Sequence, residues 1–107
     1  MKLFRLDQMT GGWFVGDFDQ AAFRTKQVEV AYKKHSAGEN WPEHYQKRAI
    51  EINLLVSGKM KLNGQEIKPG EIFVIAPLVK AKPRFYTDCA FVVVKIPSLP
   101  NDKVVTE

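Results

Sequence analysis

The segment 38–58, "GENWPEHYQKRAIEINLLVSG", begins and ends on a glycine and carries one histidine, His44. Its second half alternates isoleucine, leucine and valine with a mixed set that includes Glu51 and Asn53, which is the period-two pattern of a β-strand. Two orientations of this strand are open. If the isoleucine face packs in the core, Glu51 and Asn53 face solvent. If Glu51 faces a polar cavity, the N-terminal segment or a second subunit must cover the isoleucine face.

Short strands and turns are predicted along the rest of the chain. The dipeptide Asn63-Gly64 predicts a type I′ hairpin, because both central positions of that turn need a positive φ. The most helix-like segment, 17–27, would form one or two turns at most. Further strands are predicted in "GGWFVGDF" (11–18), "KQVEVAYKK" (26–34), "KMKLNGQEI" (59–67), "KPGEIFVIAP" (68–77) and "RFYTDCAFVVVKIP" (84–97). So many short strands in a small chain indicate a closed all-β barrel or sandwich.

The composition is that of one globular domain. The chain has 107 residues, of which 45% are hydrophobic and 26% charged. Its net charge of +4 comes from dispersed lysines rather than a basic stripe with aromatics, so no nucleic-acid partner is expected. The single cysteine, Cys89, lies in an apolar run, which predicts a buried structural thiol. No apolar stretch is long enough for a signal peptide or a membrane span, so we expect no membrane partner and a cytoplasmic location.

Segment 38–58 resembles the first motif of the cupin superfamily. That motif is a glycine, five residues, His-x-His, three or four residues, a glutamate, six residues and a glycine. Gly38, His44, Glu51 and Gly58 occupy matching positions, and Gln46 stands where the second histidine belongs. The resemblance implies a fold in which His44, Gln46 and Glu51 point into a barrel.

A second cupin motif is matched in part. Gly70 and Pro77 fit its frame, whereas Val79, Lys82 and Tyr86 replace its glycine, histidine and asparagine. The resemblance implies a cupin-type double-stranded β-helix, which is a small jelly-roll barrel. We expect a single domain over 1–107, with the core barrel in 25–97, an N-terminal strand segment in 11–24 and a C-terminal tail, 98–107, that leaves the core.

The metal site of the family is incomplete in this chain. Metal-binding cupins use three histidines and one glutamate, and only His44 and Glu51 remain, with Gln46 as a weak ligand. Lys82, at the position of the third histidine, is protonated, has no lone pair to donate and repels a cation. A divalent metal held by His44, Gln46 and Glu51 is therefore possible but less favoured than none. The resemblance instead predicts that Lys82 pairs with Glu51 in place of the metal.

Three classes of function remain open. The first is a small cupin-like protein that binds a small polar or anionic ligand, of sugar or carboxylate type, through Gln46, Glu51, Asn53, Lys82 and Arg84. The second is a cupin enzyme. It would be either a metal-independent sugar-nucleotide isomerase or epimerase, with His44 and Tyr86 (or Tyr45) as acid and base, or a weakly metal-dependent oxygenase or isomerase. The third is a structural or regulatory scaffold whose barrel is filled by side chains.

The remaining polar and aromatic side chains are given packing roles. His35 is expected at the surface. Trp41 and Tyr45 are expected to pack rather than to line a cavity, although the cavity mouth is the alternative. The cupin interpretation selects the orientation with Glu51 inward, and it therefore predicts a homodimer and a covering layer formed by Trp13, Phe14, Phe18 and Phe23.

Overall fold

The computed structural model, which describes residues 1–106, is built almost entirely of short strands. Two 3-10 turns, Leu6–Gln8 and Thr10–Gly12, precede the first strand, and the segment 17–27 contains no helix. The strands are β1 (Trp13–Gly16), β2 (Phe23–Arg24), β3 (Glu29–His35), β4 (His44–Gln46), β5 (Ile50–Ser57), β6 (Met60–Leu62), β7 (Gln65–Ile67), β8 (Ile72–Ile75), β9 (Pro83–Phe85), β10 (Cys89–Ile96) and β11 (Lys103–Val105). The prediction of an all-β fold is confirmed.

The strands form one large and two small sheets. The large sheet has the order β2-β1-β3-β10-β5-β8, and the small sheets are β7-β6-β9 and β11-β4. Asn63 and Gly64 join β6 to β7 with φ values of 51° and 80°, as the type I′ hairpin predicts. The apolar core lies between the large sheet and the three-stranded sheet. Its buried members are Ala31, Leu55, Cys89, Phe91 and Val93 from the first, and Met60, Ile67 and Phe85 from the second.

The large sheet keeps its polar residues on the inner face. Lys95 on β10 lies in register between Glu29 on β3 and Glu51 on β5, and the next inner row contains Val93 beside Asn53. Because side chains alternate along a strand, the outer face carries Ile52, Leu54, Ile72, Val74, Val92 and Val94, whereas Val93 and Ile75 point inward. Of the two orientations open for β5, the structure has the one with Glu51 inside.

The C-terminal segment does not leave the core, so that expectation is wrong. Lys103–Val105 pairs with β4, and the buried carboxylate of Asp102 accepts hydrogen bonds from the backbone N–H groups of Arg48 and Ala49 at 3.0 Å each. Buried Ser98 donates to Glu29 at 2.9 Å. These contacts satisfy buried polar groups that would otherwise be costly, and they hold β11 against the barrel opening.

The two glycines that begin and end segment 38–58 are required for different structural reasons. Both have positive φ, 73° at Gly38 and 101° at Gly58. A Cβ at Gly58 would overlap the carbonyl oxygen of Asp88 and lie 2.7 Å from Cys89 Sγ, whereas a Cβ at Gly38 would meet nothing within 4 Å. Gly58 is therefore required by the close approach of the chain entering β10, and Gly38 by its turn alone.

We predict that Gly58→Ala destabilises the fold more than Gly38→Ala. Both substitutions bear the strain of a positive φ, roughly 1–2 kcal/mol, and Gly58→Ala adds an overlap that costs about 1–3 kcal/mol more. Urea unfolding of the two variants and the parent measures the difference. Equal losses of unfolding free energy would contradict the close approach at Gly58.

Candidate ligand site in the barrel

A cavity of about 680 Å³ lies inside the barrel, within the size range of small-molecule sites. Aromatic and aliphatic side chains from both layers line one part of it, including Trp41, Phe73 and Phe85. Charged and amide side chains line the other part. The barrel is therefore not filled by its own side chains, which is contrary to what a pure scaffold would need.

Four of the sequence-predicted residues meet at the cavity wall. His44 and Gln46 come from β4, and Glu51 and Asn53 come from β5. His44, Gln46 and Asn53 are buried, and the Asn53 side-chain amide donates to Glu51 Oε2 at 3.2 Å. These side chains share the cavity because each alternates with an outward-facing neighbour on its strand.

Three predicted residues lie outside the cavity, and the expectation that they line it is wrong. Lys82, Arg84 and Tyr86 are exposed, whereas the alternate residues Ala81, Pro83 and Phe85 face inward. The second cupin motif was therefore aligned one residue out of position at β9. Because successive side chains of a strand point to opposite faces, this displacement moves every predicted side chain to the other face. The predicted pairing of Lys82 with Glu51 is wrong for the same reason.

Three lysines that the sequence analysis did not single out line the cavity: Lys33 on β3, Lys95 on β10 and Lys103 on β11. Lys95 stands directly across from Glu51, and Lys103 directly across from Gln46. The cations beside the degenerate metal motif are thus Lys95 and Lys103. The alternation of side chains along β3 and β10 could have predicted that Lys33 and Lys95 line the cavity, once the polar face of the large sheet was taken as its inner face.

These three ammonium groups form no ion pair with the described residues. Lys33 Nζ donates to the carbonyl oxygen of Gly11 at 2.8 Å. Lys95 Nζ lies 5.0 Å from the ring centroid of Trp13, and Lys103 Nζ lies 4.5 Å from that of Trp41, which are cation–π distances. The cations are positioned by a carbonyl and by aromatic faces rather than by carboxylates.

Burial and mutual repulsion act on the same lysines. Partial burial, and then the nearby Lys95 ammonium, lower the pKa of Lys33. The same two causes, in the same order, lower the pKa of Lys103, although this residue as a whole is exposed. An anion placed among the three would relieve this repulsion.

His44 has a defined neutral tautomer. Its Nδ1 lies 3.1 Å from the carbonyl oxygen of Pro42, which can only accept, so Nδ1 carries the hydrogen and Nε2 has the lone pair. Burial lowers the pKa of His44 below its ordinary 6.5; the bond to Pro42 opposes this shift, and Lys103 adds to it. His44 can therefore accept a hydrogen bond or a proton at neutral pH.

His35 is buried and lines the cavity, so its expected surface position is wrong. Its ring stacks on Phe85, with centroids 4.5 Å apart, and meets Trp41 edge-on at 4.9 Å. Trp41 likewise lines the cavity, which was the less favoured alternative, and Tyr45 does not. Of the predicted covering layer, Trp13 and Phe18 line the cavity and Phe23 is exposed, so that prediction is also wrong.

The side-chain amide of Gln46 is unsatisfied in the described part of the chain. Gln46 is 4% exposed, and its Nε2 is shielded from solvent without a hydrogen-bond partner. A buried donor left unpaired costs roughly 1–3 kcal/mol. A ligand acceptor on the cavity side, reached by rotation of the amide, would satisfy it.

The residues present do not fit a divalent metal. His44 and Glu51 are two good ligands, but Ala81 occupies the inward position on the strand where a third histidine was sought. Lys95 and Lys103 stand beside the motif and would repel a cation. Residues 1–106 contain no group of three or more histidine, cysteine or acidic side chains suited to a metal.

The architecture is that of solved proteins with a double-stranded β-helix. DMSP lyase DddQ from Ruegeria pomeroyi DSS-3 superimposes with a TM-score of 0.73 at 19% identity, over 88% of this chain and 49% of that one. A protein with a double-stranded beta-helix domain from Klebsiella pneumoniae gives 0.73 at 17% identity, over 99% and 92%. The chain has a cupin fold. The nucleoside dehydratase Pac13 gives 0.65 at 16% identity, over 78% and 71%.

These likenesses concern the cupin fold alone, and the chain spans about half the length of the DddQ chain. No protein-family model and no curated protein sequence matches the chain. Within residues 1–106, no helix is long and apolar enough to cross a membrane. What distinguishes this cupin barrel is its own set of cavity residues.

We predict that Lys103→Met raises the pKa of His44. Removing the nearby cation stabilises the imidazolium, while burial continues to hold the pKa below 6.5. A proton NMR titration resolves this, since the chain has two histidines. Arg84→Met, on the exposed face, serves as the control and leaves the titration unchanged. A His44 midpoint that Lys103→Met does not move would place Lys103 away from the imidazole.

Proposed function

We propose that this protein binds a small organic anion inside its cupin barrel. The ligand carries a carboxylate or phosphate group and an apolar or flat portion. The three lysines hold the anionic group, and the aromatic part of the cavity holds the remainder. This is the ligand-binding class predicted from the sequence, with Lys33, Lys95 and Lys103 in the roles that Lys82 and Arg84 were expected to have.

The observation that carries the proposal is the set of cavity lysines without carboxylate partners. Three like charges that face one cavity repel each other, and such an arrangement is stabilised when an anion enters. Within residues 1–106, three carboxylates also line the cavity, and none of them forms an ion pair with these lysines: Glu51 accepts from Asn53, Glu29 accepts from Ser98 at 2.9 Å, and Asp19 pairs with Arg24. Glu51 nevertheless attracts the Lys103 ammonium group through space.

The apolar lining of the cavity and the side chain of Gln46 support a ligand that has both an apolar portion and a hydrogen-bond acceptor. The unsatisfied Gln46 amide supplies a donor beside Lys103, its directly paired neighbour on β11. Trp41 and Phe85 provide flat apolar surface for a ring or chain. A nucleoside dehydratase and a DMSP lyase among the structural neighbours are consistent with a small-molecule ligand in a barrel of this shape.

We predict that Lys95→Met and Lys103→Met each weaken anion binding about tenfold to a hundredfold, since a charged hydrogen bond contributes roughly 1.5–3 kcal/mol. A thermal-shift screen with inorganic phosphate, uridine 5′-monophosphate and small carboxylates selects the probe, and calorimetry measures its affinity. Arg84→Met is the matched control, because it removes an exposed cation from the other side of its strand. Equal affinities for all variants, or no binding by any of these probes, would contradict the proposal.

We further propose that the outer face of the large sheet joins two copies of the chain in a homodimer. Leu54 pairs with Ile72, and Ile52 with Val74, so apolar side chains form continuous rows across this face. Ile72 and Val74 are 65% and 64% exposed. Exposed apolar patches of this kind mark association surfaces, and the N-terminal aromatics do not cover this one as predicted.

Val74→Asp is expected to convert the dimer to a monomer, because an unpaired carboxylate would be buried at the interface. Sedimentation velocity over a range of concentrations measures the change. Val105→Asp alters an exposed valine on β11 and is expected to leave the dimer intact. A wild-type protein that sediments as a monomer at micromolar concentration would refute this arrangement.

A further inference from the structure

His35 and Glu39 form a pair that anion binding does not use. His35 ends β3, and the chain then turns back so that Glu39 Oε2 accepts a hydrogen bond from His35 Nδ1. The side chain of His35 is 7% exposed and that of Glu39 is 36% exposed. A buried imidazole that donates to a carboxylate is the arrangement that orients and activates a histidine as a base.

The imidazole ring of His35 is held in one plane. Phe85 stacks on it at 14° between planes, Phe91 stacks with centroids 5.5 Å apart, and Trp41 meets its edge at 60°. These contacts, together with the Glu39 bond, leave the ring little freedom to rotate. A base that is fixed before the ligand arrives loses no orientational freedom during the reaction.

Nε2 of His35 is the atom available to a ligand. With Nδ1 engaged by Glu39, Nε2 carries the lone pair of the neutral ring. It has no hydrogen-bond partner among residues 1–106. Among those residues, Gln46 Nε2 is the one side-chain nitrogen or oxygen that is both shielded from solvent and unpartnered, so His35 Nε2 is not sealed in the core. His35 is one of the residues that line the cavity, so its imidazole is within reach of a ligand bound there.

We propose that His35 and Glu39 form an acid–base pair, in which His35 Nε2 accepts a proton from a hydroxyl group, or from a C–H beside a carbonyl, of the bound ligand. The proton forms the Nε2–H bond, and its bonding pair stays on the ligand as an oxyanion or enolate. Glu39 is the positioning residue, and its negative charge balances the imidazolium. The same Nε2–H then returns the proton. This inference extends the proposed function from binding to chemistry in the same cavity.

Lys33 is placed to stabilise the anion that such a proton transfer creates. It lies two residues before His35 on the same face of β3, about 7 Å along the strand. A cation close to a developing negative charge in a partly dry site lowers the barrier to forming it. His44 differs from His35 in this respect, because its Nδ1 partner is the neutral carbonyl of Pro42, which cannot balance an imidazolium charge.

The test measures the reactivity of each histidine in the full-length protein toward diethyl pyrocarbonate, which acylates unprotonated imidazole nitrogen. The chain has two histidines, and fragment-ion mass spectrometry separates His35 from His44. We expect His35 to be acylated at Nε2 in the wild type. Glu39→Gln is expected to slow this reaction about threefold or more when the rates are compared at alkaline pH, where both imidazoles are unprotonated. The reason is that acylation places positive charge on the ring, and the Glu39 carboxylate stabilises that charge.

Two controls separate an acid–base role from a structural one. Nitrogen-15 NMR is expected to show the Nδ1–H tautomer of His35 in both the parent and Glu39→Gln, since the amide oxygen still accepts that hydrogen. Glu66→Gln, an exposed substitution on β7, is expected to change neither histidine, and the His44 rate in the Glu39→Gln protein serves as an internal reference.

Two outcomes would overturn the acid–base pair. One is a His35 that stays unmodified while His44 reacts, which would mean that Nε2 is closed to the cavity. The other is an unchanged His35 rate in Glu39→Gln, which would make Glu39 a structural partner only. Neither measurement requires an added anion, so failure of the acid–base pair and failure of anion binding are distinguishable.

Discussion

The register of β10 between β3 and β5 is the constraint on which the rest of the site depends. It places Lys95 between Glu29 and Glu51 on the inner face of the large sheet. Because side chains alternate along each strand, the same register brings Asn53 and Lys33 inward and turns Ile52, Leu54 and Val94 outward. A polar cavity and an apolar outer face are therefore two results of one pairing. The proposed ligand site and the proposed association surface both depend on it.

The lysines give this barrel a chemistry different from that of a metal site. In the motif it resembles, a divalent cation would neutralise the glutamate. Here Lys95 stands across from Glu51, and Lys103 reaches the same region from a strand formed by the C-terminal segment. An ammonium group supplies positive charge without open coordination positions, so it can bind an anion but cannot activate water as a metal does. For proton transfer in this cavity we propose His35, the lining imidazole whose Nδ1 donates to a carboxylate.

Much of the fold could be predicted from local sequence. The spacing from Gly38 through His44 and Glu51 to Gly58 indicated the barrel, and Asn63-Gly64 indicated its hairpin, because turn geometry and strand alternation are local properties. The cavity could be predicted only in part. Lys82 was placed by counting from Pro77 across a loop, and a loop that shifts the count by one residue reverses the face. Lys103 depends on the C-terminal segment, which returns to pair with β4 and which no local pattern reveals. The His35–Glu39 pair is local, since its members are four positions apart in the sequence, but the inward orientation of His35 depends on the pairing of β3 with β10.

The central claim is that lysines, and not a metal ion, create the binding site of this cupin barrel. Anomalous diffraction from crystals of the full chain soaked in sodium bromide locates bound anions directly, and a parallel soak in a zinc salt locates cations. The account predicts a bromide peak inside the barrel in contact with the ammonium groups of Lys95 and Lys103. A barrel without bromide, or a zinc peak bound between His44 and Glu51, would contradict it.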